Sequence, residues 1–220
     1  GVYCTLCGTV ILYFTTVGDT VHQMGTSGFL YRSNKLMYDA ATSSLWSTMR
    51  GAPVMGKLVG QDIAFRRGSV VTTTWGEWRK QHPDTRVLSL QTGHQRDYSE
   101  GAAYAPYFAT DELMFQVPAN DTRLANKAEV LALRSADGSA ALAIASAYLL
   151  EHTVYQDKLD GTDVVVLTDG GGAHRVYDSS DISFIRFDPA DLVATDVNGH
   201  RWQADEMGLH HATLGMRARV

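Results

Sequence analysis

Cysteine is scarce: two residues in a chain of 220, both within Cys4-Thr5-Leu6-Cys7. A secreted disulfide scaffold would carry more of them, set further apart. Proline is also scarce, at five, and no residue type dominates the composition, so low-complexity and collagen-like chains are excluded. Basic charge is in deficit, with 19 Lys plus Arg against 24 Asp plus Glu and a net charge of −5. A protein that grips nucleic acid through its phosphates is usually basic, so no nucleic-acid partner is expected. No apolar run is long enough to span a bilayer. The longest, Ala140 to Leu150, is interrupted by Ser146, and a span needs roughly 20 residues.

What remains is a soluble globular chain with 45 % apolar residues and 20 glycines, long enough to bury a real core. Short β-branched and aromatic runs are bounded by Gly, Asp and Asn. Strands are predicted over 9–16, 29–38, 44–49, 70–74, 86–90, 130–134, 140–145, 164–168, 173–177 and 182–187. Helix is expected in two short pieces. Trp75–Gln81 has Thr74 as cap with Glu77 three residues on, the capping-box spacing, and Pro83 just beyond its end. The second runs from Ser146 to about His152. The fold class is therefore mostly β with one or two short helices, arranged as a barrel or a sandwich.

A weak internal repeat accompanies this pattern. Asp39, Trp46 and Gly51 recur as Asp196, Trp202 and Gly208, at offsets of 157, 156 and 157. Two duplicated β-subdomains would explain it, as would the frequency of these residues in hairpins. The expected organisation is a β-rich half over 1–73, a helix and loop insert over 74–126, and a second β-rich half over 127–220. Gly1-Val2-Tyr3-Cys4 reads as the middle of a strand, so the chain looks trimmed, and no export signal is visible in it.

Several longer motifs occur in order: Tyr3-Cys4-Thr5-Leu6-Cys7-Gly8-Thr9, Ser27-Gly28-Phe29-Leu30-Tyr31-Arg32-Ser33-Asn34, Leu36-Met37-Tyr38-Asp39 and Thr42-Ser43-Ser44-Leu45-Trp46-Ser47. Thr74-Trp75-Gly76-Glu77-Trp78, His82-Pro83-Asp84-Thr85 and Thr92-Gly93 with Arg96-Asp97-Tyr98 follow. Together they resemble domain-of-unknown-function family 3179, a group of bacterial and archaeal proteins that are often exported. The resemblance implies a periplasmic or extracellular home and no particular reaction. The upstream segment and the aromatic-rich carboxyl-terminal tail that it leads one to expect are not in this chain.

Three constellations carry potential chemistry. Cys4 and Cys7 can close a small disulfide, form half of a zinc site, or bind copper(I), since polarizable sulfur suits soft metals. A thioredoxin-like role is disfavoured because Gly8 and a strand, not a helix, follow Cys7. Zinc would need His ligands, for which His22, His82, His94, His152, His174, His200, His210 and His211 are the candidates, and His94 is the one placed at the site. The second constellation is Arg32, Asn34 and Asp39. If 29–38 is one strand, Arg32 and Asn34 face the same side and form a fork of donors for a carboxylate or phosphate. The third is the loop His94, Arg96, Asp97 and Tyr98, which combines an imidazole, a cation, a carboxylate and a phenol. Each set has an ordinary structural explanation too: buried small residues, a turn framework, a solvated loop.

The leading expectation joins all three around copper or zinc, or around thiol redox chemistry. The alternative is a non-catalytic subunit that docks other proteins through the aromatic stretch 98–108. Hydrolase or transferase chemistry stands lower, because no nucleophile–base pair is visible and no Gly-x-Ser-x-Gly, His-Glu-x-x-His or phosphate-loop pattern occurs. Whether the chain is an enzyme is left open. Asn120-Asp121-Thr122 fits Asn-x-Thr, which matters only in a eukaryotic secreted protein.

Overall fold

The computed structural model describes residues 1–118, 121–135 and 137–220, so Asn120 of the Asn-x-Thr triplet lies outside the described residues. Strand makes up 39 % of the chain and helix 8 %, and the chain is β-rich as expected. Among the described residues every strand pairing is antiparallel, most join neighbours in sequence, and no sheet closes into a barrel.

The chain divides into two units, 1–70 with 88–127, and 71–87 with 128–220. In the first unit, Met24–Tyr31, Asn34–Asp39, Leu45–Ser47 and Ala52–Met55 form a four-stranded meander. A second sheet pairs Val10–Phe14 with Val2–Tyr3 on one side and Arg66–Gly68 on the other. Its buried centre is aromatic: Trp46 stacks on Phe65 at 4.1 Å, and His22 packs against both.

In the second unit the strand Thr162–Thr168 is central. Val164 and Val166 face one apolar cluster, with Ile144 and Leu149, while Val165 and Leu167 face another, with Phe184 and Trp202. A strand covered on both faces needs an unbroken apolar run rather than alternation, which explains the sequence Val164-Val165-Val166-Leu167. A five-stranded meander follows: Phe184–Asp188, Val193–Asp196, Arg201–Ala204, Gly208–His211 and Gly215–Ala218.

The two meanders match strand for strand. Asp39 and Asp196 each end a second strand, opposite Met24 and Phe184. Trp46 and Trp202 each hold the middle of a third strand, opposite Met37 and Ala194. Gly51 and Gly208 stand at the approach to the fourth.

The helix Trp75–Gln81 forms where expected, with the Thr74 hydroxyl accepting from the Glu77 N–H at 3.3 Å. The second helix is Ser146–Glu151. A four-residue helix, Ala105–Phe108, was not anticipated. Three strand expectations need correction. Residues 70–74 and 86–90 form no strand: a β-branched run without a partner edge has nothing to pair with. Residues 29–38 are not one strand either. Arg32 and Ser33 have φ of 48° and 61° and form a two-residue hairpin between Tyr31 and Asn34, the left-handed pair of a type I′ turn. Arg32 and Asn34 therefore do not share a strand face.

Asp196 fastens the second meander. Its Oδ1 accepts from the Asn198 and His200 N–H groups and its Oδ2 from the indole of Trp202 at 3.1 Å. Asp196→Asn would turn an amide donor toward one of these N–H groups. It should lower unfolding stability by about 2 kcal/mol, read as a lower urea midpoint with an unchanged slope.

Candidate functional site

Both cysteines are free thiols, Cys4 buried and Cys7 exposed. The turn between them is held by the Cys4 N–H bond to the Thr9 carbonyl at 2.9 Å. Gly8 has φ of 61°, a left-handed conformation that glycine adopts without the Cβ penalty, and so the chain reverses directly after Cys7.

The hydrogen bonds at the two sulfurs set their ionisation. Burial opposes a charge on Cys4. The Cys7 thiol and the backbone N–H groups of Cys7, Leu6 and Lys35 all favour one and outweigh it, so Cys4 is held below the ordinary thiol range. Cys7 is pushed up, by burial of its sulfur and by Cys4, against opposition from Thr9. Of the two thiols, Cys4 is therefore the one that ionises first. The Asn34 amide donates to the Cys7 sulfur at 3.2 Å. The Thr48 hydroxyl contacts Asn34 Oδ1 and donates to the Lys35 carbonyl.

Of the residues singled out in the sequence, Asn34 is therefore brought to the cysteines. Arg32 lies over the Tyr31 ring at 5.6 Å. His94, Arg96, Asp97 and Tyr98 occupy an exposed loop with local bonds: the Tyr98 and Thr92 hydroxyls meet at 2.7 Å, and Asp97 accepts from the Ser99 N–H at 2.9 Å. No group of three or more His, Cys, Asp or Glu side chains is arranged for a metal among the described residues, so Cys4, Cys7 and His94 do not form such a group.

Asp39 lies elsewhere, behind His22, which lines a cavity of about 240 Å³ in the first unit together with Tyr13, Met24, Met37, Trp46 and Thr48. The carboxylate is fully buried. Its Oδ2 accepts from the Thr42 hydroxyl at 2.6 Å and lies 3.5 Å from His22 Nδ1, while its Oδ1 has no partner. The indole N–H of Trp46 is likewise buried and unpartnered. Met24 and Met37 carry no local motif and went unnoticed in the sequence, where His22 counted only as one of eight histidines that could serve as ligands.

The second unit holds one contact that sequence reasoning also missed: Ser146 Oγ lies 2.7 Å from His174 Nε2. The other ring nitrogen meets the Thr168 hydroxyl at 2.9 Å, not a carboxylate that would stabilise an imidazolium. Burial also lowers the His174 pKa, against the pull of Asp169 and Glu129. The arrangement is a weak base beside a hydroxyl.

Asp39 makes a pH prediction. Burial disfavours its charge, but the Thr42 hydroxyl, the Ala41 N–H and His22 overcome this and hold its carboxyl below the usual carboxylate range. A group whose pKa falls on folding stabilises the native state above its unfolded value, near 3.9. That contribution fades as pH drops through the folded value. Asp39→Asn should therefore lose less stability than the parent between about pH 5 and pH 2, as measured by chemical denaturation along that range.

Neither a curated protein nor a solved structure matches the chain. A family model described as "Protein of unknown function (DUF3179)" matches residues 2–216. That match covers nearly the whole of the chain, both meanders and the thiol turn included, and the protein belongs to the DUF3179 family.

Proposed function

We propose that the Cys4–Cys7 turn is a thiolate centre for a soft metal, and that the metal is copper(I). The observation that carries this reading is that two free thiols share one tight turn, closed by the Cys4 N–H bond to the Thr9 carbonyl, with the Asn34 amide donating to the Cys7 sulfur at 3.2 Å. A thiol must lose its proton to ligate a metal, and N–H donors aimed at sulfur stabilise the anion that results. The depressed Cys4 pKa favours loading near neutral pH.

Ligand number chooses between copper and zinc. A structural zinc site takes four donors, and no third His, Cys, Asp or Glu joins the pair among the described residues. Copper(I) is softer, is selected by thiolate donors, and needs fewer of them, a number that Cys4 and Cys7 supply alone. The Asn34 amide at the Cys7 sulfur supplies the outer support that tunes such ligands. The same sulfurs close to a disulfide when an oxidant accepts two electrons and the remaining protons leave, so thiol redox chemistry competes with metal binding here. We place the protein in the periplasm or outside the cell on the strength of the family resemblance. No helix among the described residues is long and apolar enough to cross a membrane.

A second reading rests on a separate observation. Leu88, Leu90, Tyr98, Tyr104 and Phe108 are exposed apolar side chains within the segment 88–127. Such a surface suits a subunit that docks another protein. Native mass spectrometry of material isolated from its source distinguishes the readings: a stoichiometric protein partner lost on Tyr104→Asp with Phe108→Asp supports docking.

Reduced protein titrated anaerobically with copper(I), against a chromogenic chelator, should lose one equivalent when Cys4 or Cys7 becomes Ser. Asn34→Ala should weaken that equivalent roughly tenfold. Equal copper stoichiometry in the parent and in the doubly substituted chain would overturn the proposal, and so would zinc retained in preference to copper(I).

A further inference from the structure

The correspondence between the two meanders isolates what is peculiar to the first. Met24 stands opposite Asp39 where Phe184 stands opposite Asp196. Met37 stands opposite Trp46 where Ala194 stands opposite Trp202. His22, two residues before Met24, matches Ile182, two before Phe184. In the second meander Phe184 and Ala194 belong to a packed apolar cluster, with Ile182 against it. In the first, the same positions carry an imidazole and two thioethers, and they line a cavity of about 240 Å³.

Directly paired residues share a sheet face, as do residues two apart on a strand. The register therefore sets Met24, Met37, Asp39 and Trp46 on one face. His22 joins them through its contacts with Asp39 and with the Trp46 ring, at 5.4 Å between centroids. One imidazole nitrogen, Nδ1, lies 3.5 Å from Asp39 Oδ2. The other makes no hydrogen bond among the described residues, and the His22 side chain lines the cavity.

Charge gives an independent argument. In the second meander every available lone-pair direction of Asp196 is used: Asn198, His200 and Trp202 all donate to it. Asp39 is equally buried, yet its Oδ1 has no partner. His22 is the only basic side chain paired with it among the described residues. A buried carboxylate with an unpaired oxygen is costly unless a donor or a cation compensates it. A second copy of the same motif shows that the fold is able to satisfy this group internally, and here it does not.

We infer that this cavity is a copper(I) site. The His22 imidazole nitrogen remote from Asp39 and the thioether sulfurs of Met24 and Met37 are the ligands, and Asp39 is the carboxylate behind the histidine. Neutral nitrogen and thioether donors select a soft monovalent ion over hard oxygen-seeking cations. A carboxylate on the far nitrogen of a ligating histidine fixes its tautomer and orientation and raises its basicity. A single positive charge offsets the Asp39 carboxylate. The Trp46 ring supplies an aromatic wall, which tolerates a desolvated cation. Copper(II) prefers a tetragonal set of nitrogen and oxygen ligands, so the donor set favours the reduced ion.

This site shares no ligand with the Cys4–Cys7 pair, and so the two readings fail separately. The test uses the full chain carrying Cys4→Ser and Cys7→Ser, titrated anaerobically with copper(I), and with silver(I) as a redox-inert probe. One equivalent of either ion should bind and quench tryptophan fluorescence. X-ray absorption at the copper edge should show both sulfur and nitrogen neighbours. Met24→Leu and Met37→Leu, which conserve volume, should each weaken binding roughly tenfold or more, and together abolish it, with the far-ultraviolet dichroism unchanged. His22→Leu should do the same. Absence of any bound copper(I) or silver(I) in the cysteine-free chain would overturn the inference, as would binding that survives both methionine substitutions. If the cysteine-free chain binds as much copper as the parent, the dithiolate reading falls and the cavity site stands.

Discussion

A carboxylate taken out of water must be met by donors or by a cation, and both meanders are organised around how one aspartate solves this problem. Asp196 solves it inside the chain. Two backbone N–H groups of its turn, the His200 ring and the Trp202 indole close on it, and strand, turn and core tryptophan are fastened in one network. Asp39 begins the same way and stops short. The stretch between Asp39 and Trp46 is one residue longer than that between Asp196 and Trp202. In the longer turn the carboxylate is taken by Thr42 and His22, and the Trp46 indole and one carboxylate oxygen are both left unpartnered. One inserted residue thus separates a closed structural clasp from an open polar cavity.

This difference also explains what the sequence could reveal. Asp39 with Trp46, and Asp196 with Trp202, are large or charged residues at a constant offset, and the repeat they mark is visible by eye. The capped helix Trp75–Gln81 is equally legible, because Thr74, Glu77 and Pro83 act within one turn of it. The cavity ligands are not. His22, Met24 and Met37 are single residues on different strands, and only the pairing of Met24 with Asp39 and of Met37 with Trp46 makes them neighbours. The Arg32–Ser33 hairpin was hidden for another reason. A type I′ turn usually announces itself with Asn-Gly or Asp-Gly, and neither residue here is one of those. Reading through that turn placed Arg32 beside Asn34, and the donor fork drawn from that spacing does not form.

The thiol turn was legible as a motif but not as an environment. Spacing alone permits a disulfide, a metal or an inert pair. What the spacing could not show is which groups surround the sulfurs, and Asn34 reaches Cys7 because the Asn34–Asp39 strand begins beside it. That strand serves both sites. Its first residue, Asn34, donates to Cys7, Met37 further along lines the cavity, and Asp39 at its end backs His22. Thr48, a wall residue of the cavity, contacts Asn34. The two centres therefore share a backbone, and a change that shifts the strand's register by one residue would reverse the faces and dismantle both.

The two kinds of sulfur in the first unit do not duplicate each other. A dithiol exists as a ligand only while it is reduced. Once an oxidant closes the disulfide, both donors are lost together, and the affinity of such a centre follows the redox poise around it. Thioethers do not take part in this exchange. They keep their lone pairs until oxidised to sulfoxide, a harder reaction that proceeds one sulfur at a time. In a reducing setting the charged thiolates would hold copper(I) more tightly than neutral thioethers do. In an oxidising setting the order inverts without any movement of the backbone. If both proposed centres hold copper(I), the preference between them would be set by the solution outside the chain and not by a conformational change within it.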